Sequence, residues 1–392
     1  MPWSQTSAMD QKTQFIADYL RQTLDMTELC QHYGISRKTG YKWIARYLED
    51  GPLGLEDLSR RPAKSPNATP QTTVDALLEI RRRHPSWGAK KLLPFLARRH
   101  PDWDLPGCST VGDILKRHGL VPTRRRRRVI GHPGRPVTES LAPNEVWCAD
   151  FKGQFKTGDG LYCYPLTVTD NYSRYLLGCQ ALLSTCAADA KPVFTRLFRE
   201  FGLPLRIRSD NGVPFATTTL ARLSELSAWW VRLGIVPELI EPGKPQQNGR
   251  HERMHKTLKA ETTRPPGANR RAQQRKFNRF VREFNDERPH EALDQETPAS
   301  YYQPSPRPMP DRLPPLEYPD RFEKRYVSYN GGIRWKNGWV NVSLTCAGEY
   351  VGLEEIDDGV WNVYFGPLKL GRLLERHMRI EDAYGRLKRR GP

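Results

Sequence analysis

Three carboxylates occupy positions suited to metal-assisted phosphoryl transfer. Asp150 falls in Val146-Trp147-Cys148-Ala149-Asp150-Phe151, a mostly apolar run that reads as a strand. An ionised acid in such surroundings is costly unless a cation or a hydrogen-bond donor meets it. Asp210 follows the short strand predicted at Leu205–Arg208 and opens an Asn211-Gly212 turn. Glu252 lies in the first turns of a helix predicted over 250–261, entered through the Gly/Pro loop at 241–249. Two strand ends and an abutting helix can bring three such carboxylates together. Mg²⁺ takes oxygen ligands, and two-metal chemistry uses acids to flank a pair of ions, one activating the attacking oxygen and one stabilising the leaving oxygen. Any one of these acids alone reads more readily as a turn or surface residue; the ordered set carries the inference.

Around this set stand weaker candidates. Lys256 and Lys259 share a helix face with Glu252; an exposed Glu252–Lys256 ion pair is the plainer alternative. His251 and His255 flank Glu252 without completing His-Glu-x-x-His, which favours a structural or DNA-contact role over zinc. Asp170, in Asp170-Asn171, reads as a turn cap. Trp335, Trp339 and Trp361 read as core rather than base-stacking groups.

The elements around the acids change character along the chain. From 143 three strands come first (146–151, 162–169, 175–183). A helix at 188–201, a strand at 205–208, a helix at 217–233 and a strand at 237–240 follow. That order predicts a mixed sheet with helices on its faces. Pro304, Pro306, Pro308, Pro310, Pro314, Pro315 and Pro319 make 304–320 a stiff extended linker. Beyond it, short strands separated by turns such as Asn330-Gly331-Gly332 suggest a small β-barrel.

Upstream the chain is helical and basic. The whole carries a net charge of +18, but residues 1–50 balance six Lys/Arg with six Asp/Glu, whereas 51–130 carry 17 against 7. So local an excess is a nucleic-acid footprint, and solubility is the blander alternative. Within 11–50, Phe15, Ile16, Tyr19 and Leu20 recur at helical spacing, and Thr27, Leu29 and Cys30 open a second helix. Gly34 breaks that helix, and Ser36 caps a third over 37–49 with Tyr41, Ile44 and Leu48 on one side. Helix, glycine turn and a helix with Arg37, Lys38, Thr39 and Lys42 near its start is a helix-turn-helix pattern, in which the last helix reads the major groove. A second such unit is predicted over 71–123, with Val74, Leu77, Leu78 and Ile80 on one helix, Leu92, Leu93 and Leu96 on the next, and a third capped by Ser109-Thr110 and ended by Gly119. Arg60 and Arg61 in a linker, Arg124, Arg125, Arg126, Arg127 and Arg128 in another, and Lys244 in the loop before the last acid are expected phosphate contacts.

Seven cysteines without a Cys-x-x-Cys pair, no apolar run near 18 residues and no secretory start lead to the expectation of a soluble cytoplasmic protein with free thiols and no membrane partner.

Taken together, Trp147-x-x-Asp150, Ser209-Asp210-Asn211-Gly212 and Gln246-x-Asn248-Gly249-x-x-Glu252 resemble the DDE core of retroviral integrases and bacterial insertion-sequence transposases. The chain as a whole most resembles insertion-sequence families 3 and 481, including the stretch 284–302 with Arg288, Pro289 and His290, expected to pack against the core. The resemblance implies a ribonuclease-H-like catalytic core with Asp150, Asp210 and Glu252 holding two Mg²⁺ or Mn²⁺ ions. It implies that Lys256 and Lys259 face a DNA end. Its spacing departs slightly: 41 residues separate Asp210 from Glu252, an excess assigned to a longer helix around Leu220–Leu233. The retroviral zinc module is absent.

The expectation is a multidomain α/β chain: helix-turn-helix at 1–58, basic linker 59–70, second helix-turn-helix 71–123, Arg-rich linker 124–142, catalytic core 143–303, Pro-rich linker 304–320 and a small β-barrel with a basic tail at 321–392. The expected function is a DNA transposase, bacterial and nucleoid-associated, that binds its element's terminal inverted repeats and target DNA as a homodimer or larger. A non-catalytic DNA-binding regulator and a ribonuclease-H-type nuclease are the alternatives.

Overall fold

A computed structural model describes residues 7–57, 68–121, 138–241 and 244–382. Arg60, Arg61 and Arg124 to Arg128 lie outside the described residues. The chain divides into two compact units, 1–68 and 69–392.

The first unit is three helices, α1 (Ala8–Arg21), α2 (Met26–His32) and α3 (Arg37–Asp50). Each has a side-chain cap: Ser7 with Asp10, Asp25 with Glu28, and Ser36 on the Thr39 N–H. Gly34 takes a φ of +65° in the turn before α3, a conformation that costs glycine no steric clash. Phe15, Ile16, Leu29, Cys30, Ile44 and Leu55 form the interior. The inward stripe of α3 is Gly40, Trp43, Ile44 and Tyr47, so Tyr41 and Leu48, expected beside Ile44, are exposed instead. Gly40 sets this rotation, because a Cβ there would lie 2.5 Å from Met26 and 2.7 Å from the Cys30 sulfur. Tyr19 and Leu20 of α1 also face outward.

The second unit begins with α4 (Gln71–Arg83), α5 (Ala89–Arg99) and α6 (Cys108–Arg117), closed around Leu77, Trp87, Leu92, Leu96, Val111 and Ile114. α6 starts after Gly107, so Ser109 and Thr110 lie inside its first turn rather than capping it.

The central sheet contains β1 (Val146–Phe151), β2 (Phe155–Lys156), β3 (Tyr162–Asp170) and β4 (Leu176–Leu182). After α7 (Ala187–Phe201) come β5 (Arg206–Ser209), α8 (Glu225–Arg232) and β6 (Val236–Leu239), then α9 (Gly249–Thr262), α10 (Arg270–Arg282) and α11 (Pro298–Tyr301). β3 pairs antiparallel with both β4 and β1, β1 runs parallel to β5, and β5 parallel to β6. The order across the sheet is therefore β4-β3-β1-β5-β6, with β2 extending the pairing of β3. One face is covered by α7 and α8 over Trp147, Ala149, Leu166, Val168 and Ile207. The other receives α9 and α10 over Cys163, Leu176, Cys179 and Ala181.

The helix expected over 217–233 is shorter: α8 begins at Glu225 behind a Ser224 cap, and 217–224 is a turn whose Ala221 has a left-handed backbone. The extra residues before Glu252 thus do not lengthen a helix N-terminally.

The C-terminal strands are β7 (Glu323–Tyr326), β8 (Gly332–Trp335), β9 (Gly338–Asn341), β10 (Tyr350–Asp357), β11 (Val360–Phe365), β12 (Leu368–Leu374) and β13 (Arg379–Glu381). They do not form a hydrogen-bonded barrel. Five make an open sheet, β13-β12-β11-β10-β7, and β8–β9 is a separate hairpin. The hairpin covers the sheet through Ile333, Trp335 and Val340, so side-chain packing closes the core without closing the ladder. Trp335 and Trp361 are buried and share the Glu375 carboxylate, at 3.0 and 2.9 Å, whereas Trp339 is exposed. The same interior takes in Leu220, Leu223, Ala228 and Val231 around α8. The Pro-rich segment is strapped to the core: the Arg307 guanidinium reaches the carbonyls of Pro204, Leu233 and Gly234.

Past α10 the helix widens into a π-turn at Glu283–Glu287, and Asn285 is buried there. Its amide accepts the Leu176 N–H at 2.8 Å and donates to the Leu176 carbonyl at 3.0 Å, completing the outer edge of β4. Asn285→Ala strands both backbone groups, so urea unfolding is expected to show a loss of about 2–4 kcal/mol; an unchanged midpoint would contradict this role.

Candidate metal centre

β1 leaves the interior at Asp150. Val146 to Ala149 are fully buried and Asp150 and Phe151 only partly. Trp147 fixes the strand by burying its indole, whose N–H donates to the Asn144 side chain at 3.0 Å. The parallel register pairs Ala149 with Ser209, which sets Asp150 and Asp210 side by side at the ends of neighbouring strands. Asp210 is held in a tight turn by the Gly212 N–H, 3.2 Å from its carboxylate. A Cβ on Gly212 would press to 3.2 Å on that same carboxylate, which makes glycine the fitting residue. Asn211 ties the turn to the Ile240 carbonyl at 2.7 Å and accepts from Arg222 at 2.9 Å. Beneath, Arg208 is wholly buried, paired to Glu238 at 2.5 Å and bonded to the Thr138 carbonyl.

Glu252 arrives from the other side. The loop before α9 is tied by Gln247, which accepts from the Glu241 N–H and donates to the Glu241 carboxylate. α9 buries His251, Met254, His255 and Leu258 against the sheet, leaving Glu252, Lys256 and Lys259 exposed on its outer face. Lys244 is exposed and paired to Glu241 at 2.5 Å.

Strand alternation puts Asp150, Thr167 and Thr169 on the face that receives α9. There a polar ledge replaces apolar packing. Thr167 Oγ1 lies 2.7 Å from His251 Nε2 and 2.6 Å from His255 Nε2, and Thr169 Oγ1 lies 2.7 Å from His251 Nδ1. His255 Nδ1 faces Asp150 Oδ2 at 3.6 Å. Burial holds both imidazoles neutral: His251 is pushed down to about 3 and His255 further, helped by His251 itself. Sequence reasoning ranked these histidines low; their signal was the i,i+4 spacing beside Glu252 with two β-branched hydroxyl residues alternating on β3.

Asp150 is pushed up to about 7, first by burial and then by the nearby Asp210 carboxylate, with Glu252 adding to the same effect. The Phe151 N–H and Lys152 act in the opposite sense. Asp210 and Glu252 thus both act on Asp150, whereas among the described residues the donor atoms that lie within 4.8 Å of one another are those of Asp150, His251 and His255; the three acids offer an all-oxygen donor set of the kind a hard divalent cation takes. Asp170 serves as a cap instead: buried, it accepts from the backbone of Asn144 and Ser173 and from the Ser173 hydroxyl, at 2.8, 2.8 and 2.7 Å.

Of the other predicted contacts, Arg37, Lys38 and Lys42 are exposed along α3, while Thr39 is half-buried against the Ser36 cap. Arg288 pairs with Glu261 at 3.2 Å, and Lys91 of α5 donates to the Pro289 carbonyl. Lys90–Glu291 and Arg98–Glu296 pairs join α5 to the same segment. No helix among the described residues is long and apolar enough to cross a membrane.

Strand order, mixed pairing and acids at the strand ends define a ribonuclease-H-like core. The integrase core domain family matches residues 140–245 and 233–298, a helix-turn-helix domain matches 11–63, and a homeodomain-like domain matches 39–115. The insertion element IS476 protein of Xanthomonas euvesicatoria is 26% identical over 271 residues, covering 66% of this chain and 75% of that protein. The insertion element IS407 protein of Burkholderia multivorans is 26% identical over 198 residues, 48% of this chain and 66% of its own. The Gag-Pol polyprotein of avian reticuloendotheliosis virus is 34% identical over 119 residues, spanning 30% of this chain and 10% of the polyprotein. Among solved structures, the magnesium-bound HTLV-2 integrase catalytic core domain aligns with a TM-score of 0.34 at 16% identity, over 42% of this chain and 100% of that one. Residues 140–298 match the integrase core domain family behind helix-turn-helix domains, and the chain is similar to proteins of bacterial insertion elements.

The Asp150 environment has a testable consequence for the metal-free protein. A folded-state value near 7, against an ordinary 3.8, means the folded state keeps a proton that the unfolded chain releases. Stability therefore falls as pH rises from roughly 4 to 7. Asp150→Asn removes the penalty: at pH 8 without metal the variant is expected to be more stable than wild type, on the order of a few kcal/mol. The gap should close near pH 4. A variant less stable at both pH values would contradict the assignment.

Proposed function

We propose that this protein is a DNA transposase that binds the terminal inverted repeats of its own element, cleaves the ends and joins the exposed 3′-hydroxyl to target DNA. What supports the reading is the parallel β1–β5 register, which ends two neighbouring strands at Asp150 and Asp210, with Glu252 on α9 adding its charge to theirs at Asp150. These residues would hold two Mg²⁺ or Mn²⁺ ions. Bound there, the cations would offset the clustered negative charge, acidify an attacking water or hydroxyl, and neutralise the leaving oxygen.

The chain's own residues supply position. β1 and β5 fix two carboxylates on a rigid sheet, and α9 presents the third on an exposed edge that a DNA strand can reach. Lys256 and Lys259, on the same outer face, meet backbone phosphates of the donor end, and Lys244 joins them by exchanging Glu241 for phosphate. Arg37, Lys38 and Lys42 on α3, with Thr39 at its start, provide base readout in the major groove. Arg60, Arg61 and the run Arg124 to Arg128 provide sequence-independent phosphate contacts. Two ends must be held at once, so the active form is a dimer or larger.

The test uses the DNA flanking the coding region as substrate. Asp210→Asn and Glu252→Gln are expected to lower nicking and strand joining on the order of 10²–10³-fold or more while leaving end binding intact. Retained joining by the Asp210→Asn protein refutes the site. Binding without any divalent-ion-dependent nicking in wild type identifies a regulator instead. Lys42→Ala with Arg37→Ala should relax discrimination between end and random duplex, read by competition binding; unchanged discrimination would remove α3 as the reading helix.

A further inference from the structure

The histidine ledge under Asp150 is not explained by packing alone. Both nitrogens of His251 are engaged by hydroxyls, Nε2 by Thr167 and Nδ1 by Thr169, each at 2.7 Å. His255 differs. Its Nε2 lies 2.6 Å from the Thr167 hydroxyl, while its Nδ1 is aimed at Asp150 Oδ2 across 3.6 Å, beyond a good hydrogen bond. The His255 side chain is only 3% exposed. A proton on Nε2, donated to Thr167, leaves a neutral lone pair on Nδ1 turned toward the carboxylate. Two donor atoms each about 2.1 Å from one ion stand about 3.0–3.4 Å apart for angles between octahedral and tetrahedral. The observed gap is therefore close to that of two ligands sharing a cation. Asp150, His251 and His255 do form a cluster of donor atoms within 4.8 Å of one another, but only His255 has an uncommitted nitrogen.

We propose that His255 Nδ1 is a ligand of the ion held by Asp150, with Thr167 and His251 orienting its ring. The inference rests on the catalytic reading above and adds a nitrogen to a donor set otherwise made of carboxylates. Mg²⁺ is the harder ion and holds to oxygen ligands and its own waters, whereas Mn²⁺, a first-row transition ion, accepts a nitrogen ligand more readily, so this site favours Mn²⁺ over Mg²⁺ more than three carboxylates alone would. The arrangement of ring nitrogen, hydroxyl and second ring is the kind of outer-shell support that fixes a ligand's tautomer and direction.

The experiment is pulsed electron paramagnetic resonance of Mn²⁺ bound to the full-length protein, alongside Mn²⁺ and Mg²⁺ titrations. Wild type is expected to show nitrogen coupling on the bound Mn²⁺, changed to the ¹⁵N pattern when only histidines carry ¹⁵N. His251→Gln should keep the coupling. His255→Gln should lose it and weaken Mn²⁺ binding by about tenfold or more, with a much smaller change for Mg²⁺. Bound Mn²⁺ without histidine coupling, or coupling that survives His255→Gln, overturns the proposal. Should His255→Gln fail to fold, the ¹⁵N-histidine spectra of wild type and His251→Gln decide the matter. Mn²⁺ binding that lacks nitrogen coupling but disappears in Asp150→Asn leaves the catalytic reading standing. Binding indifferent to both Asp150→Asn and Asp210→Asn overturns both.

Discussion

The structure turns on one electrostatic conflict. Asp150 lies at the end of a buried strand and feels the charges of Asp210 and Glu252, which Lys152 and the Phe151 N–H oppose. That conflict raises the Asp150 carboxyl to about 7. A divalent cation bound there would resolve it by supplying charge, and that exchange of proton for metal would link the fold to the proposed chemistry.

The surrounding architecture maintains the conflict rather than relieving it. Trp147, Asn144 and the β1–β5 register prevent Asp150 from drifting away from Asp210. The glycine at 212 keeps the Asp210 turn tight. α9 is anchored by Met254 and Leu258 in the apolar core and by two histidines on the threonine ledge, so Glu252 rides on a helix with limited freedom. The helix's outer face is thereby left to Glu252, Lys256 and Lys259, with no ion pair between Glu252 and Lys256 among the described residues. Farther out, Asn285 and the α5 contacts to Pro289, Glu291 and Glu296 fasten the segment after α10 to the sheet edge and to the second helical unit.

Much of this was legible in the sequence, and the failures have physical causes. The elements that carry the three acids were readable because their signals are strong: an apolar run for β1, Asn-Gly after β5, and a Gly/Pro entry to α9. The first helical unit was readable from Gly34 and Ser36, but which side of α3 faces inward was not, since Gly40 and a half-buried Trp43 set the rotation and neither stands out beside Tyr41 and Leu48. The helix expected over 217–233 shortened because Ser224 caps a later start. Turn spacing gave the C-terminal strands but not their edges, since a hairpin can cover a sheet by packing Ile333 and Val340 without joining its ladder. The ledge of Thr167, Thr169, His251 and His255 was missed because it joins residues some 80 positions apart through register alone.

Three acids distant in sequence are proposed to share metal ions. Crystals grown with Mn²⁺ and an element-end duplex, with the ions located by anomalous scattering, test it most directly. Mn²⁺ peaks bound by Asp150 together with Asp210 and Glu252, beside the DNA strand, are expected. Ions found elsewhere, or a Glu252 turned away from Asp150 and Asp210 in the DNA complex, would contradict it.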